Sequence, residues 1–424
     1  MKFQSIFKLL SKILFLFSIS HLIIKKNIMI AKNKIQKKKI IVFDISEDQF
    51  LDFLDPIIQD LKKKNYYNNI EIYFAVSNKV IKSKEKIENI LVNLKTNKKK
   101  LIIIDYVFLL PLVDLFISAH FYSSASFFTK SVNIPRGVGK WFVAPKFFFS
   151  NFNIHFLTGP LHQEQVLDAI KIYKLKRKIE YFKIGFPKID KVYNNEYSKK
   201  KIMDKYNLDK NKTTIVFSPS WDQGMLLSDF NTKLVEFILS NFNNFNLIVK
   251  LHPSSLVNIN HPDYNLYTQG VDWRESFKKF YSYKNFAFVQ ETNANEVLSI
   301  SDIMITDVSS IAYEYLILKK PIFFYDSPNF YDENVNSFYK DFQNSTDIIG
   351  NPRENPRINC GRHMGHIFKN IEDLKELLNQ YIYDKTILDI KDKVFCDSLF
   401  YNIGKSKNFA SHQIIEILKN NQDV

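Results

Sequence analysis

The stretch DIMITDVSSIAYEYLILKKPIFFYD, residues 302–326, reads as a buried strand, a polar turn, a helix and a second buried strand. Both apolar runs are short and unbroken rather than alternating, the pattern of strands covered on two faces in a parallel sheet. The helix between them supplies the crossover that parallel pairing requires. The same rhythm extends outward. TTIVFSPSW, FNLIVKLHP and FAFVQ precede this unit as strand-like segments, and KIIVFDI, IEIYFAVS, LIIIDY, DLFISA, IHFLTG and YFKIGFP lie further upstream. Helix-length stretches such as EDQFLDFLDPIIQDLKKK and HQEQVLDAIKIYKLKRK separate several of them.

A polar, lysine-rich connector, FPKIDKVYNNEYSKKKIMDKYNLDKNK, splits the pattern into two halves. At 424 residues the chain exceeds what one hydrophobic core usually fills. The expectation is an α/β protein of two doubly wound, Rossmann-like domains facing a cleft. Their boundaries fall at residues 39–205 and 206–402. Residues 403–424 form a terminal helix expected to pack back across the hinge. No internal repeat, low-complexity tract or Gly-rich phosphate loop of Walker or dinucleotide type interrupts this plan.

The formal charge of +15 is unevenly placed: the first 43 residues hold ten lysines and no acidic residue. Within them LLSKILFLFSISHLII (residues 9–24) is apolar and flanked by lysines. It is short for a membrane-spanning helix, which needs about 20 apolar residues. Its end, SISHLIIKKN (residues 18–27), makes a poor signal-peptide cleavage site. Residues 1–38 therefore read as a segment lying on an anionic membrane surface at the cytoplasmic leaflet, against the competing reading of a helix frayed from or docked on the core. With the charge concentrated beside an apolar segment and no recognition motif present, nucleic acid is not an expected partner. The two cysteines, Cys360 and Cys396, imply neither a disulfide framework nor a zinc site and are consistent with a reducing compartment. His363 and His366 crowd near Cys360 but read as a solvated loop.

In an open α/β sheet the ligand crevice lies beyond the carboxyl ends of the strands. There the second half places Ser218, Ser220 and Trp221, then His252, Pro253 and Ser254, then Asp307, Ser309 and Ser310. Ser309 and Ser310 suit a helix N-cap, and equally an anion site in which free N–H groups and hydroxyls meet a diphosphate. Glu314, a turn later, is either a carboxylate for ribose hydroxyls or a solvent-facing one. His252 is placed to donate to a phosphate oxygen or to act as a general acid, unless it is merely solvated.

The order SPSW, KLHPSS, NEVLSISDIMITDVSSIAYEYLILKKPIFFYD and YNIGKS resembles the CDP-glycerol glycerophosphotransferase family, which includes the teichoic acid primases and polymerases. IGFPKIDKV (residues 184–192) is similar to that family's Gly-Tyr-Pro-Arg-Asn-Asp segment. The resemblance implies a GT-B fold and transfer of glycerol phosphate from CDP-glycerol, or from a CDP-alditol such as CDP-ribitol. The acceptor would be a hydroxyl on a membrane-linked polymer or lipid, CMP would leave, and neither a cofactor nor an obligate metal is implied. Ser309 and Ser310 would hold the diphosphate, with Ser218, Ser220 and Glu314 in the donor group. Asp307 would order the turn, and His252 would meet the phosphoryl region, both placed with Arg136 among the catalytic residues.

Arg136 marks a departure. It precedes Gly137 where the family carries a His-Gly histidine proposed as base, and an arginine is no base at neutral pH. His120, His155, His162 or a carboxylate would then take that role. Ser220-Trp221-Asp222 stands where Thr-Trp-Arg is usual, and Glu314 replaces a common Asp. Competing expectations are a GT-B glycosyltransferase using a nucleotide sugar in capsule or lipopolysaccharide synthesis, and a degenerate member that binds a nucleotide or polymer without turnover.

Overall fold

A computed structural model describes residues 23–47, 50–64, 68–120, 123–137, 149, 151–175, 179–328, 360–386 and 388–420. Two parallel sheets organise it. The first runs through β1 (Lys39–Asp44), β2 (Ile70–Val76), β3 (Leu101–Ile103), β4 (Leu115–Ser118), β5 (Lys130–Asn133), β6 (Ile154–Leu157) and β7 (Glu180–Lys183) in the order β3-β2-β1-β4-β5-β6-β7. The second contains β8 (Thr213–Phe217), β9 (Phe245–Val249), β10 (Phe286–Phe288), β11 (Ile303–Thr306), β12 (Ile322–Tyr325) and β13 (His366–Phe368), ordered β10-β9-β8-β11-β12-β13. Each sheet starts at its centre, grows to one side, then crosses to the other. A topological switch point therefore lies between β1 and β4 and between β8 and β11, where such folds bind ligands.

The unbroken apolar runs are the central strands, and every residue of β9, β11 and β12 is buried. The residues 302–326 form β11, the helix Ile311–Tyr315 with a 3-10 turn, and β12, paired parallel in register Met304 to Ile322. Two strands escape the sequence pattern. β5 reads KSVN and β13 reads HIF, too short or too polar to signal themselves. LIIIDY is a strand only to Ile103, after which Ile104–Leu109 tightens into a 3-10 helix.

The connector is folded. Its helices Asp190–Tyr193 and Lys199–Lys205 bury Val192, Ile202 and Met203. It opens at Gly185, whose φ of +97° favours glycine and where a Cβ would strike the Tyr401 carbonyl. The terminal helix Ser406–Lys419 starts at the same place, its first amides donating to the Asp190 carboxylate at 3.2 Å (Ser406) and 2.8 Å (Lys407). Its Ile414 and Leu418 are buried in the core beneath β1, so the last helix belongs physically to the first domain.

Residues 1–22 of the segment expected to lie on a membrane fall outside the described residues. From residue 23 to 35 the chain is a helix seated on the first domain: Ile30 is fully buried, and Lys34 pairs with Asp114 at 2.5 Å. No described helix is long and apolar enough to cross a membrane.

Candidate active site

Between the two sheets' carboxyl ends lies a polar cavity of about 520 Å³. Its second-domain wall consists of the segments that follow β8, β9 and β11: Ser218 and Trp221, Lys250 and His252, Ser309 and Ser310. The first domain supplies Asp52, Phe53, Arg136 and Lys188. The walls come close, since a Cβ built on Gly137 would lie 3.8 Å from the Ser310 Cβ.

Ser309 and Ser310 line this cavity, and the structure separates their two proposed uses. Ser310 is the N-cap residue, yet its side chain makes no capping bond. The helix is entered through backbone carbonyls instead, Ser309 O accepting from Ala312 N and Ser310 O from Tyr313 N, each at 3.2 Å. The hydroxyls are not spent on the helix.

His252 also lines the cavity. Its Nδ1 accepts from the Ser254 amide at 3.1 Å, which leaves the ring hydrogen on Nε2 and makes that nitrogen a donor. Ser218 lines the wall while its hydroxyl donates to the Lys250 carbonyl at 2.9 Å. That bond ties the ends of β8 and β9 together.

Asp307 and Ser220 stand elsewhere. Asp307 is fully buried behind the wall, where its two oxygens accept from the amides of Ser220 at 2.9 Å and Leu226 at 3.1 Å. The loop after β8 has no regular structure to satisfy these amides, and the carboxylate does so. It is a brace rather than a group beside reacting phosphates. Ser220, drawn inward by this bond, has a buried hydroxyl and does not line the cavity. Glu314, by contrast, lines the cavity with the serines and is not solvent-facing. It is buried and pairs with Lys188 at 2.7 Å.

Three charged residues of the cavity were not singled out from the sequence. Lys250 is buried at the end of β9, its Nζ donating to the Leu251 carbonyl at 3.0 Å. Burial, with Lys188 nearby, brings its ammonium down to about 8. A lysine inside the apolar run LIVKLHP was the available signal. Lys188 sits 5.1 Å from the Phe53 ring centroid as well as on Glu314. Asp52 receives a hydrogen bond from Asn293 at 3.1 Å, and burial raises its carboxyl above the usual range despite Lys188. The last two reach the cleft only through tertiary folding.

Of the histidines named as bases, His155 and His162 are buried in the first domain's core. His155 stacks on Phe149, and burial beside His155 drives His162 down to about 3. Neither faces the cleft. His120 lines a second cavity of about 940 Å³ that shares Pro253, Ser254, Tyr267 and Thr292 with the first. His363 and His366 lie on the helix Cys360–Met364 and on β13, and the described residues contain no cluster arranged to hold a metal.

Two Rossmann-like domains that close a cation-lined cleft between the carboxyl ends of their strands define a GT-B protein. Residues 162–347 match the model of the family described as CDP-glycerol:poly(glycerophosphate) glycerophosphotransferase. A teichoic acid poly(glycerol phosphate) polymerase of Bacillus spizizenii is 29% identical over 177 residues, 39% of this chain and 40% of that protein. A teichoic acid glycerol-phosphate primase of Bacillus subtilis is 31% identical over 147 residues, 34% and 33% of the two chains. The alignments thus span well under half the length of these relatives. Among solved structures, the wall teichoic acid polymerase TagF superposes with a TM-score of 0.59 over 96% of this chain and 97% of that one, at 17% identity. Over residues 162–347 the chain is thus similar to the CDP-glycerol glycerophosphotransferase family, and its fold is that of the TagF structure.

Proposed function

We propose that this protein transfers glycerol phosphate, or a related alditol phosphate, from a CDP-activated donor to a hydroxyl of a membrane-linked acceptor during cell-surface polymer synthesis, releasing CMP. The observation that carries this reading is the convergence of hydroxyl, imidazole and cationic groups from three strand ends on one cavity: Ser309 and Ser310, His252, and Lys250 with Arg136 opposite. Its size, about 520 Å³, is within the range of nucleotide and cofactor sites.

Breaking a pyrophosphate bond moves negative charge onto the leaving phosphate. Donors fixed in a water-poor cleft stabilise that charge without reorganising. The His252 Nε2–H and the Lys250 ammonium are such donors, and the serine hydroxyls position the diphosphate between them. Trp221, edge-on to Tyr267 at 5.0 Å between centroids, gives the cavity an aromatic wall for the pyrimidine. On the same reading the lysine-rich N-terminus holds the enzyme on the cytoplasmic face of the membrane, where a lipid-linked acceptor is found.

A donor screen tests the proposal. The purified protein is given CDP-glycerol, CDP-ribitol and a panel of UDP- and GDP-sugars with a glycerol-phosphate-terminated acceptor, and the nucleotide released is identified. CMP release from a CDP-alditol is expected. Release of UDP or GDP instead makes it a nucleotide-sugar transferase, and binding of CDP-glycerol with no release makes it a non-catalytic member.

A further inference from the structure

Transfer to a hydroxyl needs a group that accepts the hydroxyl proton, and Arg136 cannot serve. β4 and β5 are neighbours, paired from Leu115 with Lys130 to Ser118 with Asn133. The residues leaving their carboxyl ends, His120 and Arg136, therefore emerge side by side. One ring joins them: Phe50 lies 5.3 Å from the His120 ring centroid and 5.7 Å from the Arg136 guanidinium.

His120 is held by a buried network. The Asp44 carboxylate at the end of β1 accepts from the hydroxyls of Ser118 at 2.6 Å and Ser123 at 2.5 Å. Ser118 Oγ accepts from the His120 amide at 2.8 Å, and Ser123 Oγ lies 3.3 Å from His120 Nδ1. Ser123 has given its only hydrogen to Asp44, so toward the imidazole it offers lone pairs. Nδ1 must then carry the ring hydrogen, and Nε2 is the acceptor nitrogen. This is the reverse of His252, whose Nδ1 accepts.

We infer that His120, oriented by Asp44 through Ser123, is the general base for the acceptor hydroxyl, and that the cavity it lines, open to the donor cleft at Ser254 and Thr292, receives the polyol end of the acceptor. The inference rests on the transferase reading. The cavity is walled by strand-end residues of the first sheet, Ser46, Glu47, Ser77 and Asp105, a polar lining suited to a polyhydroxylated chain end. Burial, with Arg136 adding to it against Asp44 and Glu47, lowers the imidazole below 6.5 and keeps it neutral near pH 7, the form a base requires.

The step balances. The acceptor O–H passes its proton to Nε2 while the oxygen bonds the phosphorus that carries the alditol. The bond from that phosphorus to the bridging oxygen breaks, CMP leaves with the electron pair, and the imidazolium returns its proton to water. His120 is thus the catalytic residue, and Asp44 and Ser123 position it.

Two measurements on the full chain test this. Nitrogen-15 NMR, with the signal assigned by its loss in His120→Gln, is expected to show Nδ1 protonated and Nε2 bare at neutral pH, and Ser123→Ala to erode that preference. A dominant Nε2–H form in the wild type overturns the assignment. In transfer assays with CDP-glycerol and a glycerol-phosphate-terminated acceptor, His120→Gln is expected to lower kcat by about a hundred- to ten-thousand-fold. Its affinity for CDP-glycerol by calorimetry stays within about twofold, a split that general misfolding would not produce. An active wild type with an equally active His120→Gln removes the base role alone. A wild type that neither binds CDP-glycerol nor releases CMP removes the transferase reading, and the base role with it.

Discussion

The Lys188 ammonium lies 2.7 Å from the Glu314 carboxylate, joining the turn that closes the first domain to the helix that follows the paired serines of the second. Both side chains are about nine-tenths buried or more. The same lysine rests on Phe53, beside Asp52, so one residue ties the first domain's helix Leu51–Lys63, its closing turn and the second domain's cavity wall together. Ser309 and Ser310, about one helical turn before Glu314, line the same cavity as this pair.

Removing either partner leaves a charge buried without its counterion. Glu314→Ala and Lys188→Ala are each expected to lower the unfolding free energy by about 3 kcal/mol, read from denaturant midpoints at constant slope. The double variant Lys188→Met/Glu314→Leu should recover most of that loss, because an apolar pair of similar volume needs no compensating charge. Single variants that shift stability by less than about 0.5 kcal/mol would show the pair to be solvated.

Asp307 makes a different prediction. Its carboxylate holds two amides of the loop after β8, and hydrogen bonds to a charged acceptor are worth about 1.5–3 kcal/mol each. Asp307→Ala should destabilise the protein by about 3 kcal/mol and weaken CDP-glycerol binding through a loosened Trp221. Asp307→Asn, which keeps one acceptor oxygen, should fall between. Loss of turnover with unchanged stability and affinity would return Asp307 to a direct catalytic role.

The central strands of both sheets were legible because a parallel strand covered on two faces leaves an unbroken apolar run, as in FNLIVKLHP and PIFFYD. β5 and β13 were not, since KSVN and HIF are set by their neighbours in the sheet and carry no periodicity of their own. The connector looked like a linker because it is polar and rich in lysine, yet Val192, Ile202 and Met203 fall on buried faces of two short helices. At the cavity, serines and a histidine after strands announce themselves by position. Lys188, Asp52 and the Asp44–Ser123–His120 network do not, because each joins residues far apart in the chain: Asp44 and Ser123 meet only where β1 and β4 lie side by side.

On the proposed reading, the cavity wall of the second domain divides binding from chemistry. Ser309→Ala with Ser310→Ala should raise the dissociation constant for CDP-glycerol about thirtyfold, as expected when two hydrogen bonds of about 1 kcal/mol each are lost. His252→Ala should chiefly lower kcat, since a donor aimed at developing charge matters most in the transition state. Wild-type kinetics in either variant would displace the diphosphate from this wall.

The N-terminal prediction follows from where the fold begins. Residues 23–35 pack on the first domain, so a deletion that tests membrane attachment must stop short of them. Removing residues 1–22 is expected to abolish co-sedimentation with vesicles rich in anionic lipid, while leaving the thermal transition in place. Unchanged sedimentation would assign any attachment to another surface.

Lys250 carries a pH signature with a definite sign. Burial brings its ammonium from 10.5 to about 8, so the folded chain releases this proton at lower pH than the unfolded chain. Between about pH 8 and 10.5 the unfolded state binds more protons, and this residue's contribution to stability rises with pH. Below pH 8 both states are charged and the penalty is constant, on the order of 3 kcal/mol. Lys250→Met should therefore exceed the wild type in stability at pH 7, with the gap closing toward pH 10.5. Donor binding should run the opposite way: a diphosphate favours the charged lysine, so CDP-glycerol affinity is expected to be highest below pH 8 and to fall above it, approaching tenfold per pH unit. Lys250→Met should bind more weakly and lose that dependence. A wild-type affinity that stays flat from about pH 7 to 9.5 would show that the buried ammonium does not meet the phosphates, and would leave their charge to Arg136 and His252.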